Sequence, residues 1–317
     1  MAFSRNLMRT LPALLSGIII VAAGVVLYRA FRGIGIADVA ERFAAIPATS
    51  LWLAAAFTSL AMLSLAIYEV AMLRYIRSGL PDRWPFLTAL AAYPIGHAVG
   101  FGALSGGAVR YRSYAAAGLS TFDVGKVVLL SAMPYAAGLG LLCGISLIAD
   151  SAEAARLLPI DAGTARLIGA ALIVAHLAYL ALVMKRRGPI RLRWFDLELP
   201  TPRMTAVQYG LGMVDAVSAI AVLYVLLPDG TSIGFLPFAA VYVLAVLAGL
   251  LSSVPAGLGV FESMLLLMLR EVPADGLLGA VLAYRLVYEL VPFAVGVSLF
   301  IGWEAWSRRH FFRRVGE

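Results

Sequence analysis

Six apolar runs, at about 11–31, 50–73, 125–148, 163–184, 204–227 and 277–302, dictate what this chain can become. A bilayer core about 30 Å thick is crossed by about 20 apolar residues in a helix, and each run reaches that length. No water is present there to satisfy backbone N–H and C=O groups, so the runs must be helices. The short alternating segments of a transmembrane barrel are missing. With 62% hydrophobic and 14% charged residues, the 317-residue chain also lacks the polar surface of a water-solvated globule. We expect an all-α polytopic membrane protein, one membrane domain over residues 1–317. The first run is too long for a signal-peptide core and has no small-residue cleavage site, so it is expected to remain as a helix.

Two further apolar stretches are interrupted. Residues 86–117 carry Gly96, Gly100, Gly102, Gly106 and Gly107 before Arg110 and Arg112; residues 237–270 carry Gly249, Pro255, Gly257 and Gly259 before Glu262. We place the chain breaks at Gly106 and Gly107 in the first and at Pro255, Gly257 and Gly259 in the second. Loop charge orients the segments. The basic loop 185–203, the arginine-rich tail, the N-terminus and 74–85 read as cytoplasmic, and 149–162 and 228–236 as external. An odd number of crossings must separate an inside loop from an outside one, so each interrupted stretch has to enter and leave on the same side. The expected architecture has about eight hydrophobic segments: six crossings plus two re-entrant broken-helix hairpins. Segment starts in residues 151–317 trail those in 1–150 by about 150 residues, with opposite starting sides, which makes the halves an inverted-topology repeat.

Local signals sharpen the boundaries. Gly118 is placed to end one helix, Ser120-x-x-Asp123 to cap the next, and Asp275 to start the last crossing. Pro134 and Pro292 should kink the crossings that contain them.

Charges inside the apolar zone cost about 2.5–3.5 kcal/mol each at a helix centre. The candidate substrate-binding residues are therefore Arg110, Arg112, Asp215, Glu262, Arg285 and Glu289. Arg285 and Glu289 are spaced to pair on one helix face. Glu69 reads as a residue snorkelling toward Arg74. His97, His176 and the single Cys143 read as packing residues. Three histidines, no metal-ligand spacing, no H-E-x-x-H, no G-x-S-x-G and no P-loop leave neither a metal site, a cofactor site, an enzyme nor a built-in ATPase to expect. The net charge of +7 lies in short loops beside the runs, where it sets topology, so nucleic acid is not an expected partner.

The stretch Ser105-Gly106-Gly107-Ala108-Val109-Arg110-Tyr111-Arg112, followed by Ala117-Gly118-Leu119-Ser120, resembles a characteristic stretch of the flippase domain of lysylphosphatidylglycerol synthetases, the multiple peptide resistance factor family. Val254-Pro255-Ala256-Gly257-Leu258-Gly259-Val260-Phe261-Glu262 and Tyr284-Arg285-Leu286 resemble its second and third stretches, in order. The resemblance spans nearly the whole chain. It implies a bacterial cytoplasmic-membrane protein that moves aminoacylated phosphatidylglycerol, or a related phospholipid, from inner to outer leaflet, reducing negative surface charge and sensitivity to cationic antimicrobial peptides. Bifunctional members continue into a synthase domain, and this chain stops at Glu317 without it. A stand-alone homologue and a fragment are both consistent with that.

A lysylated headgroup carries a phosphate and ammonium groups. Arg110 and Arg112 would hold the phosphate and Glu262 and Asp215 the ammonium. With no nucleotide site, movement is either equilibration or coupling to an ion through Asp215 or Glu289. Membrane phospholipid is the expected partner, with room for a separate lipid aminoacyl synthase and for homo-oligomers. The alternative functions are a scaffold or regulatory partner of such a synthase, for which Trp194 and Phe195 in the basic loop would serve, and a lipid-modifying enzyme of unfamiliar chemistry.

Overall fold

In the computed structural model, residues 46–99, 102–185, 190–191, 196–197, 200–252 and 254–315 are described. The run at 11–31 and most of the basic loop lie outside them. The helices are α1 (Ala48–Tyr75), α2 (Arg83–Val99), α3 (Gly102–Ala116), α4 (Thr121–Ser131), α5 (Met133–Ala149), α6 (Ser151–Leu157), α7 (Ala162–Lys185), α8 (Pro202–Tyr224), α9 (Phe235–Leu251), α10 (Val260–Met268), α11 (Ala274–Tyr284) and α12 (Val291–Val315). A two-residue antiparallel ladder pairs Ile190–Arg191 with Asp196–Leu197. Among the described residues, five helical stretches are long and apolar enough to cross a membrane: 48–75, 121–149, 162–185, 202–224 and 274–307.

Burial is inverted relative to a soluble protein. The outward faces carry Leu60, Leu63, Ile67, Leu167, Val174 and Leu177, all exposed, whereas Glu69, Arg110, Gln208 and Asp215 are buried. That is the distribution of a bundle whose outer solvent is hydrocarbon. Without a hydrophobic drive between helices in lipid, close backbone packing holds such bundles together. The tightest crossing is between α5 and α8, where a Cβ on Gly212 would lie 2.1 Å from the Pro134 carbonyl oxygen and one on Gly138 2.0 Å from that of Gly212. Only glycine fits this approach.

Capping follows the local chemistry. Gly118 (φ +95°) ends α3 and the Ser120 hydroxyl accepts the Asp123 N–H at 3.1 Å to start α4. The Asp161 carboxylate accepts the Gly163 and Thr164 N–H groups before α7, and these bonds with the Thr164 hydroxyl hold it below the usual aspartate range. Asp275, expected as a cap, lies instead in the first turn of α11 with Pro273 at the N-cap, since a proline there already fixes the entry angle. Both kink positions coincide with interruptions. Ala132 separates α4 from α5 with Pro134 in the first turn of α5, and Pro292 follows a π-helical turn, Arg285–Leu290, as expected where a ring removes a backbone donor.

The interrupted stretches each form a helical hairpin, α2 with α3 and α9 with α10, the two arms packed on each other. α8, about 35 Å long by its rise, fixes where they open. At its N-terminal end, Met204 packs with Leu73, Trp84 and Tyr114, and the Trp84 indole donates to Ser113 at 3.0 Å, so the base of the first hairpin is there. At its C-terminal end, Tyr224 donates to the Ile233 carbonyl at 3.0 Å and Pro228 abuts Gly276, so the base of the second is there. Arg156 joins Glu271 at 3.1 Å on the same end.

Two measurements check this arrangement. Gly212→Val should lower the yield of folded, detergent-stable protein and its melting temperature, an overpacking effect on the order of 1–3 kcal/mol, while Gly210→Val, with open space around it, should not. Cysteines at exposed Arg83 and Asp229 should label with an impermeant thiol reagent from opposite sides of the membrane; buried Cys143 should stay silent.

Candidate functional site

A cavity of about 410 Å³ lies between the hairpins. Ala92, Tyr93, Gly96, His97 and Arg110 line it from the first; Tyr242, Gly249, Ala256, Gly257 and Phe261 line it from the second. Tyr135 of α5 and Tyr284, Arg285, Tyr288 and Glu289 of the π-turn region complete the wall.

The second hairpin breaks where its sequence requires. Ala256 (φ 54°), Gly257 (φ 61°) and Gly259 (φ 82°) occupy left-handed backbone, and Pro255–Gly257 forms a single 3-10 turn. A Cβ on Gly257 would come within 3.0 Å of the Gly249 Cα, so the turn folds directly onto the preceding helix. Glu262 then closes the start of α10 by accepting the Gly259 N–H at 2.7 Å. The first hairpin corrects the expectation. Gly106 and Gly107 are inside α3, which begins at Gly102, while α2 is described up to Val99. Gly106 is kept small for packing: a Cβ there would meet the Ala92 carbonyl oxygen at 2.8 Å.

Each arginine of the site has a carboxylate. Arg110, 3% exposed, clasps Glu69 of α1 in a two-pronged pair at 2.8 and 2.9 Å, and Tyr114 donates to the same carboxylate at 2.8 Å. Arg110 also lies over the Tyr93 ring, 4.4 Å from its centroid. Arg285 bonds Glu289 at 2.6 Å, Glu262 at 2.9 Å and the Ala256 carbonyl at 2.8 Å, so one guanidinium ties the π-turn to the break of the second hairpin. π-Helical turns place side chains out of the regular helical register, and this one sets Arg285 and Glu289 at the cavity wall.

Two expected members stand apart. Arg112, pointing away from Arg110 on α3, pairs with Glu304 of α12 at 3.0 Å beside the Trp303 ring and does not line the cavity. Two residues along a helix are about 200° apart, so consecutive arginines of an R-x-R cannot share one site. Asp215 is buried next to the cavity, not in its wall, and neither carboxyl oxygen has a hydrogen-bond partner. Glu69 is also corrected: it is fully buried and turned to Arg110, while exposed Arg74 pairs with Asp82. Its position was available from periodicity, because Ala61, Leu65, Tyr68 and Met72 mark the inward face of α1 and Glu69 falls on it. The cavity tyrosines carried no sequence signal, being spread over α2, α5, α9 and the π-turn.

Around the cavity two arginines, Arg110 and Arg285, meet three carboxylates, Glu69, Glu262 and Glu289. Of these, Arg110, Arg285 and Glu289 reach the cavity wall, whereas Glu69 and Glu262 hold the two guanidiniums from outside it, so the paired network as a whole has one carboxylate more than it has guanidiniums. Tyrosine faces add affinity for a positive group.

The fold and this site define a multi-pass helical membrane protein with a mainly apolar, tyrosine-lined chamber between two helical hairpins, reached by the Arg110, Arg285 and Glu289 side chains. Residues 14–296 match the lysylphosphatidylglycerol synthase TM region, and the chain belongs to that family. It is 30% identical over 237 residues to an uncharacterised protein of Synechocystis sp., covering 74% of this chain and 73% of that one. It is 26% identical over 204 residues to the inner membrane protein YbhN of Escherichia coli, covering 63% of this chain and 64% of that one. Phosphatidylglycerol lysyltransferase of Staphylococcus aureus is 25% identical over 287 residues, 87% of this chain but only 32% of the lysyltransferase. The chain thus spans about a third of the length of that enzyme.

The Arg110–Glu69 pair should behave as one unit. Glu69→Ala leaves a buried guanidinium unpaired and should cost about 3–5 kcal/mol, seen as loss of accumulated protein, whereas Glu69→Gln with Arg110→Met should recover a large part of it. A double-mutant cycle on thermal unfolding in detergent measures the coupling.

Proposed function

We propose that this chain moves a phospholipid with a cationic headgroup, aminoacylated phosphatidylglycerol or a chemically related lipid, from the inner to the outer leaflet of a bacterial cytoplasmic membrane. One observation carries the reading: a chamber with aromatic walls, set between hairpins that open at opposite ends, whose two arginines are paired with three carboxylates. Such a chamber shields a charged headgroup while acyl chains remain in lipid. Opposed hairpins are the arrangement of an inverted repeat with halves 1–150 and 151–317, in which the broken elements exchange access between the two faces. The matching lysyltransferase, named for attaching lysine to phosphatidylglycerol, supports an aminoacyl lipid as cargo. In this reading the chain catalyses no bond-forming step.

The division of roles follows from geometry. Glu289, the carboxylate in the cavity wall, receives the ammonium; Arg285, held between Glu289 and Glu262, and Arg110 present positive charge toward the phosphate. Arg112 acts outside the chamber, holding the first hairpin to α12.

Purified chain in liposomes carrying a fluorescent lysylphosphatidylglycerol should move it between leaflets, read by quencher accessibility. Glu289→Gln should slow the lysyl lipid tenfold or more with comparable protein in the membrane and little change in the slower movement of unmodified phosphatidylglycerol. No movement above protein-free liposomes would overturn the reading and favour a scaffold for a separate synthase.

A further inference from the structure

Asp215 is the buried carboxyl that the paired charges leave over. It sits in the middle of α8, 1% exposed, with both oxygens unpartnered. Every element packed around it has its charges committed elsewhere. On α1, Glu69 is held by Arg110 and Tyr114. On the π-turn, Glu289 is held by Arg285. On α7, His176 is hydrogen-bonded to Tyr209 of α8 at 2.7 Å. His97 of α2 lies in the cavity wall between Tyr93 and Tyr135, and four hydroxyls neighbour Asp215: Tyr93 of α2, Tyr135 of α5, Tyr242 of α9 and Tyr288 of the π-turn. All four also line the cavity, so a layer of phenols separates the acid from the chamber.

An ionised carboxylate with no partner is not sustained in such a place; it takes up a proton or acquires a cation. We propose that Asp215 is a proton site that exchanges its proton for the ammonium of the lipid headgroup, and so couples lipid movement to a proton gradient. The inference rests on the lipid-moving reading of the chamber. With the chamber empty, Asp215 is the neutral acid. When an ammonium enters, its charge stabilises the aspartate; the Oδ–H bond breaks and the proton passes to water in the chamber. When the headgroup leaves, the aspartate takes a proton back from water on that side. One proton therefore moves opposite to one cationic headgroup, and the lipid collects in the leaflet facing the more acidic compartment. The four phenols stand between the acid and the chamber and limit the access of bulk water, so a leak of protons without lipid is suppressed.

Two readouts test it on the full chain. In infrared spectra of lipid-embedded protein, the C=O stretch of a protonated carboxyl should be present at neutral pH, should shift when aspartate is supplied as its carbonyl-13C form, and should vanish in Asp215→Asn. The isotope arm assigns the band to aspartate in the parental protein, so it holds even where the variant folds poorly. In liposomes with fluorescent lysylphosphatidylglycerol and a clamped membrane potential, one pH unit should shift the steady-state leaflet ratio about tenfold in the parent, the ratio set by one-to-one exchange. Asp215→Asn should equilibrate the leaflets regardless of pH, and Asp215→Glu should regain a pH response. Absence of the aspartate band, or a leaflet ratio in Asp215→Asn that still follows pH, would overturn the proposal. A band present in a protein that moves no lipid would establish the proton and overturn the coupling with the lipid-moving reading on which it rests.

Discussion

A charge inside hydrocarbon must be neutralised within reach of its own side chain, and the rest of this structure is arranged around that requirement. Arg110 joins the first hairpin to α1 through Glu69, Arg112 joins it to α12 through Glu304, and Arg285 joins the second to the π-turn through Glu262 and Glu289. α2 also packs along α1 and α12, and α9 along α5, so the pairs fix the register of helices that are already in contact. Each pair contributes little net stability by itself, since desolvation offsets most of the attraction. Its effect is on position: a partner displaced by one helical turn would leave a bare charge, so the hairpins have only one acceptable seat.

Small residues make that seat reachable. Gly138 against Gly212, Gly106 against Ala92 and Gly257 against Gly249 allow backbones to approach closely enough for short ion-pair distances across helices. The π-turn serves the same end by rotating Arg285 and Glu289 out of regular register, next to the break at Ala256. Packing and electrostatics are thus not separate contributions here. The glycines set the distances at which the carboxylates and arginines meet.

Membrane helices, their approximate ends and the two interrupted stretches were legible in the sequence because apolar length, proline and glycine act locally. The 125–148 run appears as α4 and α5 parted at Ala132, the position Pro134 indicates. Family membership was legible as well: three stretches rich in glycine and charge resembled the family, and residues 14–296 match it. What the sequence concealed is long-range. Glu69 and Arg110 are 41 positions apart, Arg112 and Glu304 192 apart, and no spacing rule connects them. Reading Arg110 and Arg112 as one phosphate clamp failed because side chains two apart on a helix face different neighbours. Gly106 and Gly107 were expected at the break, but α3 tolerates them because a close contact, not a turn, is what needs them there.

The committed pairs also bear on what the chamber can accept. Arg110 and Arg285 each have a carboxylate partner already, so an incoming phosphate must share a guanidinium with a glutamate, and an anionic headgroup alone gains little. An ammonium meets the opposite situation: three glutamates for two arginines, phenol faces, and one further carboxyl behind them. In the lipid-moving role proposed above, selectivity for a cation-bearing lipid would rest on that extra carboxylate and the phenol faces.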